Sequence, residues 1–123
     1  MTLNDITYQI RGAIFEVYNH LGPGLLESVY EEALIYELTL RGLSVKRQQL
    51  VPISYKGQLL HSELRIDLLV NDQVIIELKS VLEMKDVFFK QTLSYLRLSH
   101  LHLAILVNFN TDNINESIYR VIN

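Results

Sequence analysis

The stretch Leu64 to Ser80, LRIDLLVNDQVIIELKS, constrains the chain most. Two runs rich in Ile, Leu and Val flank Asn71-Asp72, the pattern of two apolar strands joined by a tight polar turn. Asp67 interrupts the first run, and Glu77 and Lys79 interrupt the second. A charge inside a buried strand is costly unless it is paired or bound to a metal. Side chains two apart on a strand share a face, so Glu77 and Lys79 point one way and Leu78 the other. Two carboxylates about 4 Å apart repel by about 4 kcal/mol at an effective dielectric of ~20. A divalent cation between them turns that repulsion into attraction, and Lys79 would be a third partner, held charged by the acids and aimed at an arriving anion. The ordinary alternative is a structural ion pair at a sheet edge, and these residues alone leave both readings open.

The turn decides whether the two acids can meet. Residues directly opposite each other on paired strands share a face. A two-residue turn at Asn71-Asp72 pairs Val70 with Gln73 and sends Asp67 and Glu77 to opposite faces. A three-residue connection, Asn71-Asp72-Gln73, or a bulge sets Asp67 across from Glu77. A shared metal therefore requires an odd-length connection or a bulge. Ile66, Leu68 and Val70 then share the other face with Val74, Ile76 and Leu78.

The rest of the chain supplies the frame. Thr2 or Asn4 caps a first helix whose apolar stripe is Ile6, Ile10, Ala13, Ile14 and Val17, ending near Leu21 because Gly22-Pro23-Gly24 cannot continue it. A second helix is expected from Leu26 to Arg41, with Val29, Ala33, Tyr36 and Leu40 inward and Gly42 as the stop. Strands follow at Val45 to Tyr55 and Gln58 to Val70, joined by a Lys56-Gly57 turn, with a bend near Ser62. Pro52 implies that the first of these is an edge strand or is broken there. A third helix covers Lys85 to Leu98, a buried strand Leu101 to Asn108, and a short helix Ile114 to Ile122. Helices and strands mix without repeat or linker, so the pattern predicts one α/β domain over residues 1–123, a central mixed sheet flanked by helices.

Composition narrows the chemistry. At 123 residues and 49% apolar content the chain can bury a sizeable core. With no cysteine it has neither disulfide, thiolate metal site nor cysteine nucleophile. There is no signal-peptide pattern and no apolar run long enough for a membrane span, so a cytoplasmic protein without membrane attachment is expected. The net charge of −3 does not advertise nucleic acid, although a local basic patch would not register in it. Lys90 and Arg97, seven apart on the third helix, share a face that can meet phosphates, as can Arg41, Lys46 and Arg47; such faces are more often simply solvated. Gln91 and Tyr95 also share a face, either as a bonded pair in the core or as the lining of a site. Glu27, in a first helical turn, suits the helix dipole there, and its functional reading is a third acid. His100 and His102 lack metal-ligand partners at the right spacing. No glycine-rich phosphate loop and no G-x-S-x-G elbow occurs. Asn108-Phe109-Asn110 has turn and cap character.

Gly24-Leu25-Leu26-Glu27-Ser28-Val29-Tyr30 resembles the motif that names the GxxExxY family. The likeness runs over nearly the whole chain, through LGPGLLESVYEEAL, ELTLRGL, Arg47-Gln48, PISYKG, RIDLLV, VIIELKS, QTLSYLRL and LVNFN. That family is placed in the PD-(D/E)XK nuclease superfamily, which implies a restriction-endonuclease-like core. The resemblance makes Asp67 the D of the motif and Glu77-Leu78-Lys79 its E-x-K. Gln91-x-x-x-Tyr95 is similar to the Q-x-x-x-Y element of the exonuclease-like branch, and Glu27 to an acid on the early core helix. It implies Mg²⁺-dependent phosphodiester cleavage, with Mn²⁺ as a substitute. Asp67, Glu77 and the Leu78 carbonyl would be the metal ligands, and Lys79 would orient the attacking water. Two positions depart from the family pattern: Leu64 stands where a tyrosine is expected and Phe88 where a histidine is expected. The implied partner is nucleic acid, DNA first. The second reading is a catalytically silent module that keeps the fold and binds nucleic acid or a protein, or a homo-oligomer or other assembly in which a partner completes the groove.

Overall fold

The computed structural model describes Met1–Asn123. Helix α1 spans Leu3–Leu21 and α2 Glu27–Leu40; β1 (Val45–Tyr55), β2 (Gln58–Val70) and β3 (Val74–Lys79) follow, then α3 (Asp86–Ser99), β4 (Leu103–Asn108) and β5 (Ile118–Ile122). The strands form one sheet in the order β1-β2-β3-β4-β5. Only β3 and β4 pair in parallel, and α3 makes the crossover between them. The other neighbours are antiparallel, so the sheet is mixed and β1, the strand carrying Pro52, lies at its edge. Where β1 and β2 shift register, Leu60-His61-Ser62 stand opposite Ile53 alone, which accounts for the expected bend near Ser62.

The two faces of the sheet differ in weight. Against α1 and α2 lies a core of 19 buried residues, among them Ile6, Ile10, Ile14, Leu34, Leu38, Leu68, Ile76 and Val107. On the α3 side only Ile66, Ile75, Leu96 and Ala104 form a buried group. Each fully buried Leu or Ile contributes roughly 1.5–3 kcal/mol, so the α1/α2 side carries most of the stabilisation. The α3 side has room for polar groups. Thr2, the cap of α1, forms the full box with Asp5: the Asp5 N–H donates to Thr2 Oγ1 at 3.1 Å and the Thr2 N–H to Asp5 Oδ2 at 2.9 Å.

Two sequence expectations are corrected. Helix α2 buries Tyr30, Glu31, Leu34 and Leu38 rather than Val29, Ala33, Tyr36 and Leu40. Both sets have helical spacing, and the choice turns on Glu31, a carboxylate that periodicity assigns to solvent. Here it is buried and satisfied, accepting from Arg47 Nε at 2.9 Å and from Gln48 Nε2 at 3.0 Å. The second correction is at the C-terminus, where the expected helix from Ile114 to Ile122 is a 3₁₀ turn, Ile114–Glu116, followed by β5. Ile118, Tyr119, Val121 and Ile122 favour strand, and the open edge of β4 offers the hydrogen-bond partners that a helix there would leave unused.

Candidate metal centre

The β2–β3 connection has three residues. Val70 pairs with Val74, Leu69 with Ile75 and Leu68 with Ile76, leaving Asn71-Asp72-Gln73 as the turn. Asn71 and Asp72 adopt left-handed backbone, φ 51° and 56°, and these short polar side chains tolerate that region better than most. The Asn71 side chain fixes the turn to the residue just before β1, its Oδ1 accepting from the Ser44 N–H at 2.8 Å. This is the odd-length connection that a shared metal requires.

The ladder stops at Leu68 and Ile76. Two residues further along β3, the Leu78 N–H donates to Asp67 Oδ2 at 2.9 Å, so a side-chain carboxylate takes a strand hydrogen bond. The opposite position on β1 is Gln48, whose φ of 51° breaks the run between the Arg47–Leu68 and Gln49–Ile66 pairs. Facing changes by one residue there. Ile66 consequently does not join Leu68 and Val70 as the alternation predicts, but packs with Ile75, Leu96 and Ala104 on the α3 side. Asp67 sits at the change of face and reaches the carboxyl of Glu77.

Glu77 lies on the thin α3 side, 6% exposed, with no hydrogen-bond partner for Oε1 among the groups able to donate. Burial first, then hydrogen bonding and repulsion from Asp67, push its pKa up to about 10, against a smaller opposing pull from Lys79. Without a cation, the pair therefore keeps a proton at neutral pH. In a strand the N–H and C=O of one residue point to the same side. The Leu78 carbonyl thus points toward β2 beyond the last ladder pair, while Lys79 O accepts from the Phe109 N–H at 2.9 Å on the β4 side.

Lys79 shares the face of Glu77 but forms no ion pair, contrary to the expectation that the acids hold it. Its Nζ stands 4.5 Å from the centroid of the Phe88 ring. Helix α3 overhangs the carboxyl pair with Tyr95, whose hydroxyl accepts from Gln91 Nε2 at 2.8 Å. The Tyr95 pKa is raised by burial and by the nearby Glu77 charge. Lys90 and Arg97 are exposed and unpaired on the same helix. Glu27 opens α2, exposed and without hydrogen bond or ion pair, and no third acid or histidine joins Asp67 and Glu77 in a metal-holding group.

Several further residues shape this region, and the turn and cap character read for Asn108 is borne out by its bonds to Val81 and the Asn110 N–H. Tyr30 is fully buried, stacked on Phe109 at 4.3 Å between centroids; its hydroxyl donates to Gly22 O and accepts from the Leu25 N–H at 3.1 Å. It ties the glycine loop to the core. Ser80 Oγ donates to Leu25 O, bringing that loop to the end of β3. Asn108, 5% exposed, accepts from the Val81 N–H at 3.1 Å and donates to Val81 O at 3.0 Å, fixing the path of the chain after Lys79. Glu31 holds Gln48, the residue opposite Asp67 on β1, through its carboxylate. A polar residue inside an otherwise apolar helix stripe is the one sequence signal that would have flagged Glu31.

A mixed sheet between helix layers, with an acid on one central strand and E-x-K on the next, defines a nuclease-type core. The family model of the PD-(D/E)XK nuclease superfamily matches residues 4–121, and the chain belongs to that superfamily. No curated protein and no solved structure matches the chain. Superfamily members generally use divalent metal ions. The donor set fits one: two adjacent carboxyls, one of them with a buried oxygen that has no hydrogen-bond partner, suit a hard cation that retains several waters. No helix is long and apolar enough to cross a membrane.

Proposed function

We propose that the chain is a GxxExxY-type nuclease that hydrolyses phosphodiester bonds in DNA with Mg²⁺, or Mn²⁺ in its place. The observation that carries this reading is Glu77 Oε1, buried beside Asp67 without a donor. Asp67, Glu77 and the Leu78 carbonyl would hold the ion. A bound ion there supplies Lewis acidity and lowers the pKa of its water. Lys79, next along the face, brings a positive charge to the scissile phosphate, and Phe88 fixes the direction of its ammonium. Tyr95 and Gln91 offer hydrogen bonds to a phosphate oxygen from α3. Lys90 and Arg97 add sequence-independent attraction for the backbone.

Calorimetric titration of Mn²⁺, paired with cleavage of end-labelled DNA, tests the proposal. Wild type should bind about one ion and cleave; Asp67→Asn and Glu77→Gln should lose both activities while remaining folded. Unchanged Mn²⁺ binding in both variants would refute the site. Binding without cleavage by wild type would identify the silent module instead.

A further inference from the structure

One cavity of the molecule lies away from the carboxyl pair, on the other side of the sheet. It is a groove of about 660 Å³ between α1 and α2. Its floor on α2 is Val29, Ala33, Tyr36 and Leu40, the stripe that sequence periodicity assigns to the core. Instead Tyr36 is 69% and Leu40 65% exposed. A helix apolar on both faces is ordinarily covered on both, yet only the Tyr30, Leu34 and Leu38 side of α2 meets the sheet. From Val29 to Leu40 the stripe runs about three helical turns, roughly 16 Å. Val29, Tyr36 and Leu40 leave this strip open to solvent along its length.

The rim indicates what fits. The only acidic or basic side chains lining the groove are Glu16, Glu32, Glu37 and His20. His20 lies 3.5 Å from Glu16, Arg41 reaches Glu37 only at 3.9 Å, and Glu32 has no partner. Two copies meeting through this face by a two-fold axis would set glutamates against glutamates. We propose that the groove receives an amphipathic helix of a partner protein, with an apolar stripe on the α2 floor and lysines or arginines against Glu32, Glu16 and Glu37. Such a helix completes a three-helix layer with α1 and α2, in the manner of a helix docked in a groove. The surface is on the face opposite Asp67 and Glu77, so both can be engaged at once. It stands independently of the metal reading.

The probes are labelled helical peptides carrying the same leucine stripe, one flanked by lysines, one by glutamates, and one with the lysine peptide's residues scrambled. Fluorescence anisotropy on the full chain should show the lysine peptide binding at least about tenfold tighter than the other two, a difference of about 1.4 kcal/mol. Its affinity should fall several-fold from about 50 mM to about 300 mM salt. Tyr36→Glu should weaken it about tenfold, and Glu32→Lys should cut the preference for the lysine peptide severalfold. Both positions are exposed, and circular dichroism melts confirm that the variants fold. Equal affinity for all three peptides, or no binding of the lysine peptide, overturns the proposal. So does a wild-type dimer in sedimentation that Tyr36→Glu separates, which makes a second copy the occupant.

Discussion

The proton on Glu77 makes a quantitative prediction about the metal-free protein. Unfolded, this carboxyl titrates near 4.5; folded, burial and Asp67 raise it to about 10. Between those values the folded chain holds a proton that the unfolded chain has released, so stability falls as pH rises. The contribution is complete below the unfolded value and is lost progressively until pH passes the folded one. The slope approaches about 1.4 kcal/mol per pH unit, a loss on the order of 3 kcal/mol between about pH 7 and about pH 9. Glu77→Gln keeps the shape, supplies a permanent donor toward Asp67 and cannot titrate. Urea unfolding in chelator across this range should show the slope in wild type and its loss in the variant, which becomes the more stable protein at the alkaline end. Saturating Mn²⁺ should flatten the wild-type slope, because the cation occupies the place of the proton. Equal slopes in the two proteins would refute this reasoning. A variant less stable than wild type at every pH would show that Glu77 is an anion in a structural pair.

Two further substitutions address the surroundings of the site. Phe88→Leu removes the ring beneath the Lys79 ammonium, an interaction of about 0.5–1 kcal/mol at a partly exposed position. Mn²⁺ affinity should be unchanged and the single-turnover cleavage rate lowered about two- to fivefold; an unchanged rate assigns the ring to packing alone. Tyr30→Phe leaves the stacking on Phe109 but strips the hydroxyl from Gly22 O and the Leu25 N–H, at a cost of about 1–3 kcal/mol in urea unfolding. A loss below about 0.3 kcal/mol would show that water replaces the hydroxyl.

Local pattern made much of this legible. The α1 stripe, the glycine loop, the strand runs and the Lys56-Gly57 turn depend on neighbours in sequence, and they stand where their residues predict. The same holds for Glu77 and Lys79 sharing a face, which strand alternation alone determines. What escaped depends on distant partners. Periodicity could not rank the two apolar faces of α2, because burial of Glu31 is decided by Arg47 and Gln48 on a strand far along the chain. Nor could it see that Gln48 takes a left-handed backbone opposite Asp67, which moves Ile66 to the other side of the sheet. The closing strand was hidden for a related reason: its nine-residue window suits a helix until the free edge of β4 enters the balance. Lys79 resting on Phe88 instead of on the acids follows from how α3 docks, and no spacing rule encodes that.

The Asn71-Asp72-Gln73 turn makes length itself a heritable property of this protein. Amino-acid exchanges there leave the facing intact provided two positions accept left-handed backbone and residue 71 keeps an acceptor for the Ser44 N–H. Loss or gain of one codon is another matter: the strands would still pair, since their apolar runs tolerate a slip, but one carboxyl would pass to the far side of the sheet. Insertions and deletions that preserve the site therefore come in steps of two residues. A library built by random single-codon indels through this turn should recover folded clones at every length and active clones at alternate lengths only.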